Sequence, residues 1–179
     1  MSYLAATVVI LAVICVLNLI LTVAVIRRLR EHTTILEQAR RPADLLTVGT
    51  SVAGVEATAI DGAAVDDEWL REGRKLIALM SSTCSHCLDE LGNAADFARA
   101  MPGGPASVLA VVSGLDGHGT ELVDGLRGVA TVVHEPEDGP ATTAFSASAF
   151  PAFYLVVDGQ IRNAGHRVAD LRAPAGAAA

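Results

Sequence analysis

Hydrophobic positions are concentrated unevenly along this chain. Leu4 to Ile26 is a run of 23 residues without a charge, interrupted only by Thr7, Asn18 and Thr22. As a helix it would extend about 34 Å, enough to cross a hydrocarbon core of about 30 Å with slight tilt. A cleaved leader has a basic start, a shorter apolar core and a small-x-small cleavage site. Here no Lys or Arg precedes the run, and Arg27, Arg28 and Arg30 follow it. The pattern predicts a retained single-span anchor over residues 1–26, with Cys15 and Asn18 as packing residues inside it. Residues 27–46 read as a helical stalk broken at Pro42, and residues 173–179 as a frayed tail of small residues with Pro174 and Gly176.

The body, residues 47–172, alternates short apolar runs with helical spacing. Lys75–Ser81 and Ser107–Ser113 are apolar runs of buried-strand length. Between them Cys87, Leu88, Leu91, Ala95 and Ala98 recur at helical spacing, until Pro102-Gly103-Gly104 stops the pattern. A short helix is expected over Thr120–Arg127, a third strand over Val129–His134 and another helix over Pro140–Ala147. Ala152–Val157 and Gln160–Asn163 flank Asp158-Gly159, a strong hairpin signal, and Val55–Val65 forms a second candidate around Asp61-Gly62. Strands alternating with helices and closing on a hairpin predict an α/β domain with a mixed central sheet.

Composition sharpens this picture. The chain of 179 residues is 51% hydrophobic with a mean hydropathy of +0.44, an excess that the first 26 residues largely explain. Net charge is −7, yet residues 1–41 are basic, so the body is strongly acidic. An acidic body excludes a nucleic-acid partner, which needs a basic face. Three cysteines in a chain this long exclude a disulfide-stapled mini-scaffold.

Candidate chemistry lies in two places. Cys84-Ser85-His86-Cys87 follows a strand and opens a helix, with Ser82 and Thr83 as candidate caps. Unpaired N–H groups and partial positive charge at a helix N-terminus favour a thiolate. Cys84 is then the activated sulfur and Cys87, one turn inward, the thiol that resolves a mixed disulfide. His86 offers a second positive charge near Cys84, which would stabilise the reduced pair and make the disulfide more oxidising. Two other readings stand beside this one. A metal site needs about four ligands, and the cysteine pair would have to recruit both His118 and His134. An accidental pair of core cysteines is the third reading. The second place is Phe150-Pro151, before the strand AFYLVV, where Pro151 is either a simple strand-initiating proline or a cis-proline bringing Phe150 beside the cysteines.

The order strand, CSHC, helix, strand, helix, strand, FPAFYLVVDGQI resembles the thioredoxin superfamily. With the anchor and the lead-in VGTSVAGVEATAIDGAAV, it is similar to the membrane-anchored TlpA/MauD-like, redoxin-type thiol–disulfide oxidoreductases. The resemblance spans residues 48–165. It implies a thioredoxin-like fold, Cys84 as nucleophile, Cys87 as resolving cysteine, and Pro151 as the cis-proline that, with Phe150, positions a client polypeptide. It implies no cofactor beyond the Cys84–Cys87 disulfide, and partners that are protein thiols or disulfides plus an unidentified redox partner. Ser85-His86 resembles the dipeptide of oxidising members. The chain departs from the pattern at Thr83, where an aromatic or glycine is usual, and at Ala78, where thioredoxins often keep a buried acid. It also lacks the lead-in's usual Pro and Phe at residues 52–55 and has a short or absent C-terminal helix. Such domains usually work outside the cytoplasm, whereas the arginines after the anchor favour the cytoplasm by the positive-inside rule. A metal-delivery module and a non-catalytic adaptor are the competing functions. A peroxidatic site is disfavoured, because no proline lies in residues 78–83.

Overall fold

Glu56–Thr58 (β1) and Ala64–Asp66 (β2) pair antiparallel around the predicted Asp61-Gly62 turn. The Asp61 carboxylate accepts the Ala63 N–H at 3.0 Å, and the Gly62 N–H reaches the Ala59 carbonyl at 2.9 Å, closing the turn. A short helix absent from the sequence reading follows, Asp67–Arg71 (α1). Its N-cap is Asp66, whose carboxylate accepts the N–H groups of Glu68 and Trp69. The computed structural model describes residues 7, 11–12, 14–19, 45–114 and 116–172.

Arg74–Ser81 (β3) runs into Ser85–Arg99 (α2), and after the 3₁₀ segment Gly104–Ser107 comes Val108–Ser113 (β4). Gly119–Leu126 (α3), Thr131–Glu135 (β5) and Pro140–Ala144 (α4) follow, then the hairpin Ala152–Val157 (β6) and Gln160–Gly165 (β7). A last 3₁₀ segment, Val168–Arg172, stands where a C-terminal helix was expected to be short or absent. The sheet order is β5-β4-β3-β6-β7, with β3, β4 and β5 parallel, β6 antiparallel to β3, and β7 antiparallel to β6. This is the mixed sheet flanked by helices that the alternation predicted.

Strand alternation builds a core on each face. Leu76, Ala78 and Met80 of β3 face α2 and α3, with Cys87, Ala94, Ala98 and Leu122. Ile77 and Leu79 face the other way, toward Leu70, Phe145 and Tyr154. Parallel strands covered on both faces read as continuous apolar runs, which is why β3 and β4 were legible. The lead-in shields both sheet edges. The Ile60 N–H bonds the Val132 carbonyl on β5 at 2.8 Å, while residues 49–52 pair along β7 through Gly49, Ser51 and Val52. Covered edges cannot template pairing with another chain. Leu45 and Leu46, expected to end the stalk, pack against the second core instead.

Residues 1–42 form a separate unit from residues 43–179. Residues 7, 11–12 and 14–19 are helical, and among the described residues no helix is long and apolar enough to cross a membrane. The predicted anchor lies mostly, and the stalk almost wholly, outside the described residues, as does the tail 173–179.

Candidate active site

The C-terminal end of β3 delivers the chain to the cysteine pair. Helix α2 begins at Ser85, so Cys84 itself is the N-cap, in place of the Ser82 or Thr83 that the sequence offered. The physical reason is that Cys84 keeps an extended backbone while its sulfur accepts the Cys87 N–H at 3.2 Å. A helix-terminal donor aimed at Sγ stabilises negative charge there. Cys84 is half-buried and Cys87 fully buried, and neither is in a disulfide. Burial first, and then the contact with Cys84, pushes the Cys87 thiol well up, with a backbone interaction at Ser81 opposing them. Cys87 sits in the same apolar cluster as Ala78, where the family pattern would have placed an acid. The two sulfurs thus have unequal roles available: one approachable, one kept protonated.

Phe150 and Pro151 come to the same place. The Cys84 thiol donates to the Phe150 carbonyl at 3.4 Å, and the Phe150–Pro151 peptide is cis. His166, unnoticed in the sequence, donates from Nδ1 to the Pro151 carbonyl at 2.8 Å. Nothing in a polar stretch just past a strand signals such a contact. Ser85 and His86 lie exposed on the first turn of α2. The His86 imidazole faces Asp89, 3.4 Å away, with both side chains well exposed. Its charge is therefore offset by a carboxylate, which weakens the second positive charge expected beside Cys84.

The loop after β4 braces the pair from behind. The Ser82 N–H bonds the Ser113 carbonyl and the Ser82 carbonyl accepts the His118 N–H, both at 2.8 Å. Gly117 holds φ +68, and a Cβ there would lie 2.6 Å from the Ser82 oxygen. Glycine is therefore required both by backbone and by space. His134 bonds the Gly114 carbonyl through Nε2 at 2.9 Å, and His118 is exposed beside Glu121. Among the described residues no group of three or more His, Cys, Asp or Glu is arranged to hold a metal. The histidines offered for the metal reading are thus engaged elsewhere.

No protein-family model matches the chain. No curated protein matches it either. Solved structures do. The thioredoxin domain of a thiol–disulfide oxidoreductase from Bacteroides vulgatus is 17% identical with a TM-score of 0.57, over 70% of this chain and 93% of that one. A thiol:disulfide interchange protein from Bacteroides sp. is 16% identical with a TM-score of 0.55, over 70% and 86%. A secreted Mycobacterium tuberculosis disulfide oxidoreductase, homologous to Escherichia coli DsbE, is 18% identical with a TM-score of 0.52, over 64% and 84%. At these identities the likeness establishes architecture, and the chain has the thioredoxin-like fold that these oxidoreductases share.

Proposed function

We propose that this protein is a membrane-anchored thiol–disulfide oxidoreductase of the TlpA/MauD-like kind, exchanging disulfides with cysteines of client proteins. The observation that carries the reading is the asymmetry of the pair. Cys84 is half-exposed with a helix-terminal N–H on its sulfur, and Cys87 is a buried thiol one turn below. The fold shared with named oxidoreductases supports it.

In the reducing direction the Cys84 thiolate attacks a client disulfide, forming the Cys84–client bond and releasing one client thiolate. Cys87 then gives up its proton to that thiolate or to water and attacks Cys84 Sγ. The mixed disulfide breaks, the Cys84–Cys87 disulfide forms, and the client has gained two electrons. The reverse sequence oxidises a client dithiol. In this reading the backbone of Phe150, beside Cys84, pairs with an extended client segment, and His166 holds the neighbouring Pro151 carbonyl. Residues 4–26 supply the anchor in this reading. The catalytic unit then works outside the cytoplasm, and the description of a Mycobacterium tuberculosis protein of the same fold as secreted supports this.

Trapping tests the assignment. In membranes carrying the full-length chain, Cys87→Ala should hold clients on Cys84 as reducible high-mass species, and Cys84→Ala should hold far fewer. Absence of trapping by Cys87→Ala, together with tight copper or zinc binding by the native chain, overturns it in favour of metal delivery.

A further inference from the structure

Among the described residues, Lys75 and Glu135 are the buried side chains that carry a full charge. Glu135 is satisfied: its carboxylate accepts the Ala141 and Thr142 N–H groups and the Thr142 hydroxyl at 2.7–3.2 Å. Lys75 is different. It is 6% exposed, and among the described residues no carboxylate lies within ion-pair distance of it. Its Nζ stands 4.2 Å from the centroid of Trp69, whose indole N–H is fixed on the Ala106 carbonyl at 3.1 Å. The ring face offers attraction but accepts no strong hydrogen bond, so the three ammonium donors keep capacity for a ligand.

Lys75 lines a cavity of about 350 Å³, together with Glu72, Arg74, Gly103, Ala106 and Ser107. The cavity lies at the start of β3, about 20 Å along the strand from the cysteine end. We propose that it is a binding site for a small oxyanion, with Lys75 as its buried contact and Arg74 at its rim. Buried charges are ordinarily paired, and an oxyanion here supplies the missing partner. Burial pulls the Lys75 ammonium down, and the weaker field of Glu72 opposes it. Small oxyanions such as phosphate, sulfate or a short carboxylate fit the cavity's volume, and the Glu72 carboxylate on the wall opposes their approach. The site is independent of the cysteine chemistry.

Trp69 is the only tryptophan in the chain and its ring stands against Lys75, so its emission reports on the surroundings of that ammonium. Full-length protein is titrated with sodium phosphate, sulfate or acetate at ionic strength held constant with chloride. A saturable change in emission is expected with at least one of these anions, and the three arms separate tetrahedral from planar ligands. Lys75→Met should weaken binding about tenfold or more, as loss of a charged hydrogen bond requires, and Arg74→Gln should weaken it less. No saturable response to any of the three overturns the proposal, as does an unchanged affinity in Lys75→Met. Should that variant fail to fold, acetic anhydride labelling of the native chain decides. Anion is expected to slow acetylation of Lys75, read by peptide mass, and an unaltered rate overturns the assignment.

Discussion

Gly117→Ala isolates the brace behind the cysteine pair. The substitution imposes two separable costs. A left-handed backbone at φ +68 costs alanine about 1–2 kcal/mol. The new Cβ would also lie 2.6 Å from the Ser82 carbonyl oxygen, a backbone atom that cannot swing aside. Forcing such an overlap typically adds about 1–3 kcal/mol. Gly62→Ala supplies the internal control: φ is +89 there, yet nothing lies within 4 Å of the added Cβ. It should show the backbone cost alone. Denaturant unfolding of the full-length chain in mild detergent gives both values, provided m is unchanged. Gly117→Ala should lose about 2–5 kcal/mol and Gly62→Ala about 1–2 kcal/mol. Because Ser82 carries the brace to Cys84, Gly117→Ala should also alter the alkylation rate of Cys84, whereas Gly62→Ala should not. Equal destabilisation by the two substitutions, with Cys84 reactivity unchanged in both, would refute the argument that this loop positions the site.

Other expectations follow from single contacts. The Gly54 and Val55 N–H groups hold the Asp67 carboxyl below its ordinary value of 3.8, so its contribution is present above that value and is lost as pH falls through the lower folded value. Asp67→Asn should therefore flatten the acid limb of a stability-against-pH curve, and an unchanged limb would count against this tie between lead-in and α1. His86→Leu should lower the reduction potential by less than about 30 mV, since Asp89 already offsets the imidazole charge; equilibration in a glutathione buffer measures it, and a larger drop would restore His86 as a principal tuning group. Loss of the His166 bond to Pro151, worth about 1 kcal/mol, should slow client exchange roughly fivefold in His166→Ala while leaving the pair's potential in place.

What was legible in the sequence follows from physics that is local. Strands β3 and β4 are continuous apolar runs because both faces are covered, and the Asp61-Gly62 and Asp158-Gly159 turns announce themselves within a few residues. Cys84 and Cys87 were identifiable because strand, cysteine pair and helix are consecutive. Helix α1 was missed although Asp66 at its N-cap, Asp67 and Glu68 in its first turn and Arg71 in its last are a helix signature. Five residues are too few for periodicity to register. The start of α2 fell one residue differently from the expected caps, because a cysteine sulfur did the work usually given to Ser or Thr. Contacts that join distant segments left no local trace: His166 on Pro151, Gly117 against Ser82, and residues 49–52 along β7. Lys75 read simply as the charged start of a strand, since only the packing of Trp69 and the Gly104–Ser107 segment encloses it.

The central claim is that Cys84 and Cys87 form one reversible redox couple. Full-length protein is equilibrated across a range of reduced-to-oxidised glutathione ratios, quenched, and its free thiols are counted by alkylation and mass. The account predicts a two-electron transition in which Cys84 and Cys87 disappear and return together while Cys15 stays alkylatable, leaving one free thiol of three at the oxidised end. Three alkylatable thiols at every ratio, or loss of Cys84 alone as a glutathione adduct with Cys87 still free, would contradict it.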